Sequence, residues 1–346
     1  MRDCGEQPRT HAALADWLVE LFNKHFTDNL STAPHVALEQ DNLAQAARRA
    51  LESGQGERLA RLATAPRNWL YNIIRMPEAW EGWLSSALEL GPGDDRLRGE
   101  VYQYLGDVQH FRYKYDLALE SYAHARELFQ AAGDRQGEAH SFFYTGNLHL
   151  MRNQYDQALE SYARALDLYQ AAGDQLGEAN TLLSTGDVQS RRNQYKRALK
   201  SYAHALPLFQ AVGSRLGEAN TLLSIGDVHY VRTQYDQALE SYARALPLFK
   251  AVGNRLGEAN TLAGRGRVLL ARGEQAEADR LLVQAVEIYI AIGDRYSIAA
   301  QTGNYGWTLR RHGQKSAARP YLLRAAKIYK EIGLNEKAAR LRKVAQ

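Results

Sequence analysis

The sequence is poor in residues that form disulfides, bind zinc through sulfur or cross membranes. Its 346 residues include one cysteine, Cys4, and no run approaches the ~18 uninterrupted apolar residues of a membrane-spanning helix. A single cysteine excludes a disulfide within the chain and a zinc site with four cysteine ligands. The first ten residues lack the apolar region of a secretory signal. By elimination, we expect a cytoplasmic protein without a membrane partner.

Sequence motifs of common enzymes are also absent. The chain contains no GxxxxGKS or GxxxxGKT phosphate-binding loop, no HExxH zinc motif and no GxSxG nucleophile elbow. Gly264 and Gly266 form a GxG that lacks the third glycine of a dinucleotide-binding fingerprint. We therefore predict no catalytic residues, no cofactor and no metal site, and we do not expect an enzyme.

Charges of both signs nearly balance. The 43 lysines and arginines exceed the 39 aspartates and glutamates by four, which gives a net charge of +4 at pH 7. For a chain of this length, that excess argues only weakly for binding to nucleic acid or to an anionic membrane. Nucleic acid is therefore not the expected partner, although a basic outer face remains an alternative.

A period of forty residues dominates the chain. Two sets of glycines and one set of alanines keep this interval. They are Gly106, Gly146, Gly186, Gly226, Gly266 and Gly306; Gly133, Gly173, Gly213, Gly253, Gly293 and Gly333; and Ala118, Ala158, Ala198, Ala238, Ala278 and Ala318. Such a period is typical of a repeat array, in which each unit buries its apolar face against its neighbours. We number the units one to six by the glycines Gly106 to Gly306.

Each unit is predicted to contain two helices, A and B. In unit three, helix A is expected over 178–191 and helix B over 194–211, with a turn around Asn193. Glu178 places negative charge in the first turn of helix A, where the helix dipole favours it. Gly213 follows helix B, which is the usual place for a residue with positive φ.

These residues resemble the tetratricopeptide repeat (TPR) family. Tyr102, Leu105, Gly106, Ala118 and Tyr122 match its pattern of an apolar residue, leucine and glycine in helix A, and alanine and an aromatic in helix B. The glycine and alanine let the two backbones approach closely, and the aromatic fills the adjacent gap. The resemblance implies an all-α fold, a right-handed α-solenoid of TPR helix pairs in which helix A lines a concave groove.

The predicted organisation has four parts. A flexible N-terminus (1–8) precedes an N-terminal helical cap or arm (9–95), six forty-residue TPR units (96–333) and a C-terminal capping helix (334–346). Within the cap, helices are predicted near 36–52, 55–64, 67–75 and 78–90. The forty-residue unit resembles the TPR subtype of spindle-orientation adaptors and kinesin light chains, which bind extended peptides in the groove.

A second resemblance concerns residues 39–63 and 81–90. They are similar to the stretch between the ATPase half and the TPR sensor of bacterial signal-transducing (STAND) ATPases. Glu39, Asp41, Asn42 and Leu43 carry this likeness to the Glu-x-x-Asn-Leu core of that family. The resemblance implies a sensor arm or a standalone relative of such an ATPase. The alternative is that residues 9–90 only cap the solenoid.

The predicted ligand surface lies on one face of helix A. With the helix A glycine as position eight, positions two, five, nine and twelve share that face. The predicted peptide-binding residues are Asp107, Asn147, Asn180, Asp187, Asn220, Asp227, Tyr230, Asn260, Arg267 and Arg310. Asparagine both donates and accepts hydrogen bonds, so the row at position two could clamp an extended peptide backbone. Copying of the repeats for helix support explains the same recurrence, and both interpretations stay open.

Charge at these positions changes sign along the array. Asp187 and Asp227 precede Arg267 and Arg310, which predicts a peptide with basic residues at the middle units and an acidic end at the last ones. The expected function is a non-catalytic scaffold for a protein or peptide ligand in the concave groove. A STAND sensor arm and a structural solenoid that self-associates are the alternatives.

Overall fold

The computed structural model describes residues 11–24, 40–65, 77–293, 295–311 and 313–346. These residues form seventeen α-helices and no strand, so the predicted all-α fold class is confirmed. The predicted helix near 67–75, Glu39 and residues 1–8, for which flexibility is a prediction, lie outside the described residues. The helices are α1 (His11–Lys24), α2 (Gln40–Glu52), α3 (Gly56–Thr64), α4 (Pro77–Leu90), α5 (Asp95–Phe111), α6 (Tyr115–Ala131), α7 (Arg135–Met151), α8 (Tyr155–Ala172), α9 (Gln175–Arg191), α10 (Tyr195–Ala211), α11 (Arg215–Val231), α12 (Tyr235–Ala251), α13 (Arg255–Ala271), α14 (Gln275–Ala291), α15 (Arg295–Arg311), α16 (Lys315–Glu331) and α17 (Asn335–Ala345).

Helices α5 to α16 form the six predicted A–B pairs, one pair per forty-residue unit. The turn after helix A has a left-handed residue, for example Asn193 (φ 59°), and the turn after helix B has a left-handed glycine, for example Gly213 (φ 69°). Glycine adopts positive φ without steric cost, and asparagine does so more readily than most residues. The side chain of Asp134 caps α7 by accepting a 2.9 Å hydrogen bond from the amide of Gly137.

The helix A glycine contacts the helix B residue of the same unit, as predicted. In all six units, a Cβ added at this glycine would come within 3.0 Å of a ring or leucine atom. The partner is a buried tyrosine in units one to four, namely Tyr122, Tyr162, Tyr202 and Tyr242, and a leucine, Leu282 or Leu322, in units five and six. Only glycine permits this approach, which explains why it recurs despite its low helix propensity.

The chain divides into two compact parts, Met1–Gly177 and Glu178–Gln346. In the first, α1 to α4 share a hydrophobic core with α5, and Leu18, Leu43 and Leu59 are fully buried there. The indole of Trp80 donates a 2.9 Å hydrogen bond to the carbonyl oxygen of Ala63, which links α4 to the end of α3. The described part of residues 11–90 therefore packs on the first repeat.

The second compact part of the chain ends with α17, the helix predicted to cap the array. Leu341, Ala338 and Ala345 of α17 are buried in one core with Leu322 and Tyr329 of α16. Burial of this apolar face covers the last helix pair, as a terminal helix of a repeat array must do.

Candidate functional site

The predicted groove residues at position nine bind the tyrosine of their own repeat. In units one to four, the buried tyrosine hydroxyl of helix B donates a hydrogen bond to the side-chain oxygen at position nine of helix A. The pairs are Tyr122–Asp107 (2.8 Å), Tyr162–Asn147 (2.6 Å), Tyr202–Asp187 (2.7 Å) and Tyr242–Asp227 (2.6 Å). This contact gives the recurrence of aspartate and asparagine a packing role.

Units five and six change both partners together. Where helix B has Leu282 and Leu322 in place of tyrosine, position nine is Arg267 and Trp307. A leucine has no hydroxyl to bind, so no acceptor is needed at position nine. This joint change was visible in the sequence, and it could have revealed the pairing.

Aspartate at position nine carries an electrostatic cost in unit three. Burial raises the pKa of Asp187 above its ordinary value, although hydrogen bonds from Tyr202 and Ser224 lower it. The Ser224 hydroxyl, from the next repeat, lies 3.3 Å from the same Asp187 oxygen. Asp187 is therefore a shared acceptor between two repeats.

The asparagines at position two are not equivalent. Asn260 accepts a 2.6 Å hydrogen bond from the hydroxyl of Tyr289, a buried residue of α14. At the corresponding helix B positions, units three and four have Phe209 and Phe249, which have no hydroxyl. Asn180 and Asn220 are half-buried and keep their amide groups for another partner.

The predicted charge gradient is partly neutralised within the protein. Arg267 Nη2 lies 3.1 Å from Asp227 Oδ1, and the guanidinium carbon lies 5.3 Å from the centroid of the Tyr230 ring. Burial disfavours the charge of Arg267, but Asp227 and the neighbouring tyrosines favour it, and the net effect raises the pKa of Arg267. Aspartate and arginine of successive repeats thus form an ion pair beside an aromatic ring.

In the second compact part (Glu178–Gln346), a cavity of about 460 Å³ lies on the helix A side, between α13, α15 and α17. Its wall combines four cationic side chains, three aromatic rings and several small or polar residues, and no carboxylate lines it within the described chain. The lining residues are Arg267, Arg311, Lys337, Arg340, Tyr230, Trp307, Tyr329, Ala300, Gly303, Asn304, Thr308 and Leu341. Of the predicted site residues, it brings together Tyr230 and Arg267. Arg310 is not in the lining, whereas its neighbour Arg311 is.

Small residues of unit six open this cavity. Position five is leucine in units three and four but Gly303 in unit six, and position two is Ala300 in place of asparagine. A Cβ added at Gly303 would come within 3.3 Å of Leu341 on α17. The cavity therefore exists because helix A of unit six has smaller side chains than the other units at the positions next to α17.

Two of the cationic groups are held in place. Lys337 Nζ donates a 2.9 Å hydrogen bond to the Tyr296 hydroxyl and lies 4.8 Å from that ring's centroid and 5.6 Å from the centroid of Tyr329. Such cation–π contacts stabilise an ammonium group near aromatic faces. Arg267 is held by Asp227, whereas Arg311 and Arg340 are exposed.

Comparison with known families decides the classification of the chain. The model of the tetratricopeptide repeat family matches residues 97–171, 146–211 and 217–291, which together exceed half of the 346 residues. The chain belongs to the tetratricopeptide repeat family. No curated protein matches this sequence. The first predicted resemblance is thereby confirmed, while the likeness to STAND ATPases stays a prediction.

Solved structures share the fold of this TPR protein. A Rap protein complexed with competence and sporulation factor superimposes with a TM-score of 0.61 at 13% identity, over 96% of each chain. The Rap conjugation gene regulator of plasmid pLS20, in complex with the Phr* peptide, gives 0.54 at 14% identity, over 88% of this chain and 93% of that one. Aspartyl phosphate phosphatase F from Bacillus subtilis gives 0.56 at 15% identity, over 98% and 95%. At these identities, the likeness shows the fold alone.

The described ranges contain neither a metal-binding cluster nor a membrane-spanning helix. No group of three or more histidine, cysteine, aspartate or glutamate side chains is arranged to hold a metal ion there. No helix of the same ranges is both long and apolar enough to span a bilayer.

Proposed function

We propose that this TPR protein is a non-catalytic scaffold that binds an extended protein or peptide segment on its helix A surface. In this proposal, an acidic part of the ligand lies in the cavity between α13, α15 and α17. The cavity carries the proposal, because four cationic side chains and, among the described residues, no carboxylate line a concave surface of about 460 Å³.

The composition of the cavity favours an acidic peptide over other ligands. Guanidinium groups bind carboxylates through paired hydrogen bonds, and the exposed Arg311 and Arg340 are free to make them. Trp307 and Tyr329 offer aromatic surface to apolar ligand groups beside these charges. The half-buried amides of Asn180 and Asn220 can donate to and accept from a peptide main chain. These two asparagines are proposed as the sequence-independent contacts.

Proteins of similar structure support the proposal of a peptide ligand. The Rap regulator that shares this fold was solved in complex with the Phr* peptide. Asp107, Asn147, Asp187, Asp227, Asn260 and Arg310 remain proposed groove residues, although the first four also bind tyrosine hydroxyls and Asn260 binds Tyr289. A cytoplasmic location, self-association and a role as a STAND sensor arm remain predictions.

A charge-reversal experiment tests the proposal. The probe is a fluorescein-labelled hexapeptide of alternating glutamate and tyrosine, and its binding is measured by fluorescence anisotropy. The double variant Arg311→Glu, Arg340→Glu should weaken binding by about tenfold or more, since each lost charge-assisted contact contributes about 1 kcal/mol. The matched control is Arg319→Glu, Lys327→Glu, which makes the same charge change on exposed positions of α16 away from the cavity.

The outcomes separate specific from diffuse attraction. Equal weakening by both double variants would show that net charge alone attracts the probe, and the cavity would lose its role. The same peptide with lysine in place of glutamate should bind at least tenfold more weakly. A single-stranded oligonucleotide that binds more tightly than the acidic peptide would contradict the proposal and favour the nucleic-acid alternative.

A further inference from the structure

A second cavity lies between α14, α15 and α16, away from the acidic-peptide site. Its volume is about 250 Å³, and apolar side chains form most of its wall. The lining residues are Leu282, Val283, Val286, Ile290, Tyr305, Tyr321, Asp279, Glu287, Gln301, Thr302 and Arg324. None of the predicted groove residues is among these lining residues.

Two differences in helix A of unit six shape the cavity wall. Position four is a buried leucine in units three, four and five, namely Leu182, Leu222 and Leu262, but it is Thr302 in unit six. Threonine is smaller, so the joint between α14 and α15 is left unfilled. Position three is threonine in the same three units but Gln301 in unit six.

The rim of the cavity is more apolar than the same surface elsewhere in the array. Val283 and Ile290 of α14 are 57% and 52% exposed. The corresponding residues are Ala203 and Gln210 in α10, and Ala243 and Lys250 in α12. Exposed apolar side chains that adjoin an apolar cavity form a continuous apolar surface, which is a candidate binding surface.

Inside the cavity wall, one buried acceptor has no partner. The side-chain oxygen Oε1 of Gln301 is buried without a hydrogen bond in the described structure. At the same position of units four and five, the hydroxyls of Thr221 and Thr261 donate hydrogen bonds to the carbonyl oxygens of Gly217 (2.8 Å) and Gly257 (2.7 Å). An unpaired buried acceptor is uncommon in proteins, and a donor supplied by a ligand would satisfy it.

We propose that this cavity binds an apolar group of about indole size that carries one N–H or O–H donor, and that a rotation of the Gln301 side chain brings its buried Oε1 to that donor. A cavity of about 150 Å³ accommodates benzene in a well-studied engineered lysozyme, so about 250 Å³ suits a two-ring group. The charged groups of the lining are of both signs: Asp279, which already accepts a hydrogen bond from the Tyr305 hydroxyl, and Glu287 lie with Arg324. This mixture disfavours an anionic ligand and leaves no strong preference for a cation. The ligand is either a free small molecule or a tryptophan side chain of a partner protein.

Titration calorimetry and amide NMR spectra of the full chain test the site with two probe pairs. Indole should bind and shift the amide signals of α14 and α15. The compound 1-methylindole has nearly the same size but no N–H, and it should bind at least fivefold more weakly. N-acetyl-tryptophanamide separates the two sources: binding as tight as indole assigns a partner's tryptophan, and binding of indole alone assigns a free ligand.

Two variants restore the residues of the other repeats and should therefore fold. Thr302→Leu fills the cavity and should abolish indole binding while the melting temperature is kept or raised. Gln301→Thr removes the acceptor and should bring the affinities for indole and 1-methylindole within twofold of each other. The proposal fails if neither indole nor the amide binds at millimolar concentration, if Thr302→Leu leaves binding unchanged, or if methylation has no effect in the native chain.

Discussion

The contact between the helix A glycine and the helix B tyrosine makes one substitution especially informative. Gly146 lies in the middle of α7, and a Cβ added there would come 2.6 Å from Cε1 and 2.7 Å from Cδ1 of Tyr162. Ordinary contacts of a Cβ begin near 3.4 Å, so the ring must move by most of an ångström. Tyr162 is fully buried, and its hydroxyl is held by Asn147 at 2.6 Å.

The expected free-energy change of Gly146→Ala is a difference of two effects. Alanine gains about 1 kcal/mol of helix propensity over glycine. Overpacking against a fixed ring costs about 1–3 kcal/mol, and disturbing the bond to Asn147 costs about 1 kcal/mol more. The substitution should therefore destabilise the protein by about 1–3 kcal/mol, measured as a lower urea midpoint by circular dichroism.

Gly82→Ala is the matched control. Gly82 lies inside α4, in the same compact part of the chain (Met1–Gly177) as Gly146. It is exposed, and a Cβ added there would have no atom within 4 Å. Here the propensity gain acts alone and should stabilise the protein by about 0.5–1 kcal/mol. Opposite shifts of the two midpoints are the expected result. If Gly146→Ala stabilised the protein as much as Gly82→Ala, the close contact would not be what selects glycine at position eight.

Two further predictions concern buried polar groups. Asp187→Asn keeps a side-chain oxygen that can accept the hydrogen bond of the Tyr202 hydroxyl, as Asn147 does for Tyr162 in unit two. It removes a carboxyl group whose pKa is raised by burial. Because the folded-state pKa of Asp187 is raised, the contribution of this residue to the free energy of unfolding falls as pH rises from 3.8 through the folded-state pKa. Urea unfolding at several pH values should show this decline in the native chain, and Asp187→Asn should remove it. Trp80→Phe removes the 2.9 Å bond to the carbonyl oxygen of Ala63, and we expect about 1–3 kcal/mol of destabilisation in urea unfolding.

Local features of the fold were predictable because they depend on short-range chemistry. The forty-residue period, the glycine with positive φ after helix B and the packing of Gly106 on Tyr122 each follow from spacing and size, and the structure shows all three. Helix A of unit three was expected from residue 178, and α9 begins three residues earlier, at Gln175. Helix ends depend on capping geometry, which sequence patterns locate less well.

The candidate site was less predictable, because cavities arise from what side chains leave empty. The repeat pattern indicates Tyr230 and Arg267 as ligand-binding positions but does not indicate Gly303 or Lys337. The space left at Gly303 is evident only by comparison with the leucines at the same position of units three and four. Lys337 belongs to α17, outside the repeat, and only packing brings it to the cavity.

The two cavities occur where the repeats stop resembling one another. In units one to four, the glycine, the tyrosine and its acceptor at position nine form a complete set of contacts. In a repeat array each unit contributes to stability mainly with its neighbours, so a change in the last units affects the others little. Units five and six replace the tyrosine with leucine, so position nine no longer has to accept a hydrogen bond from a tyrosine hydroxyl, and Arg267 and Trp307 line a cavity there. Substitutions at position nine should therefore alter stability in units one to four and ligand binding in units five and six.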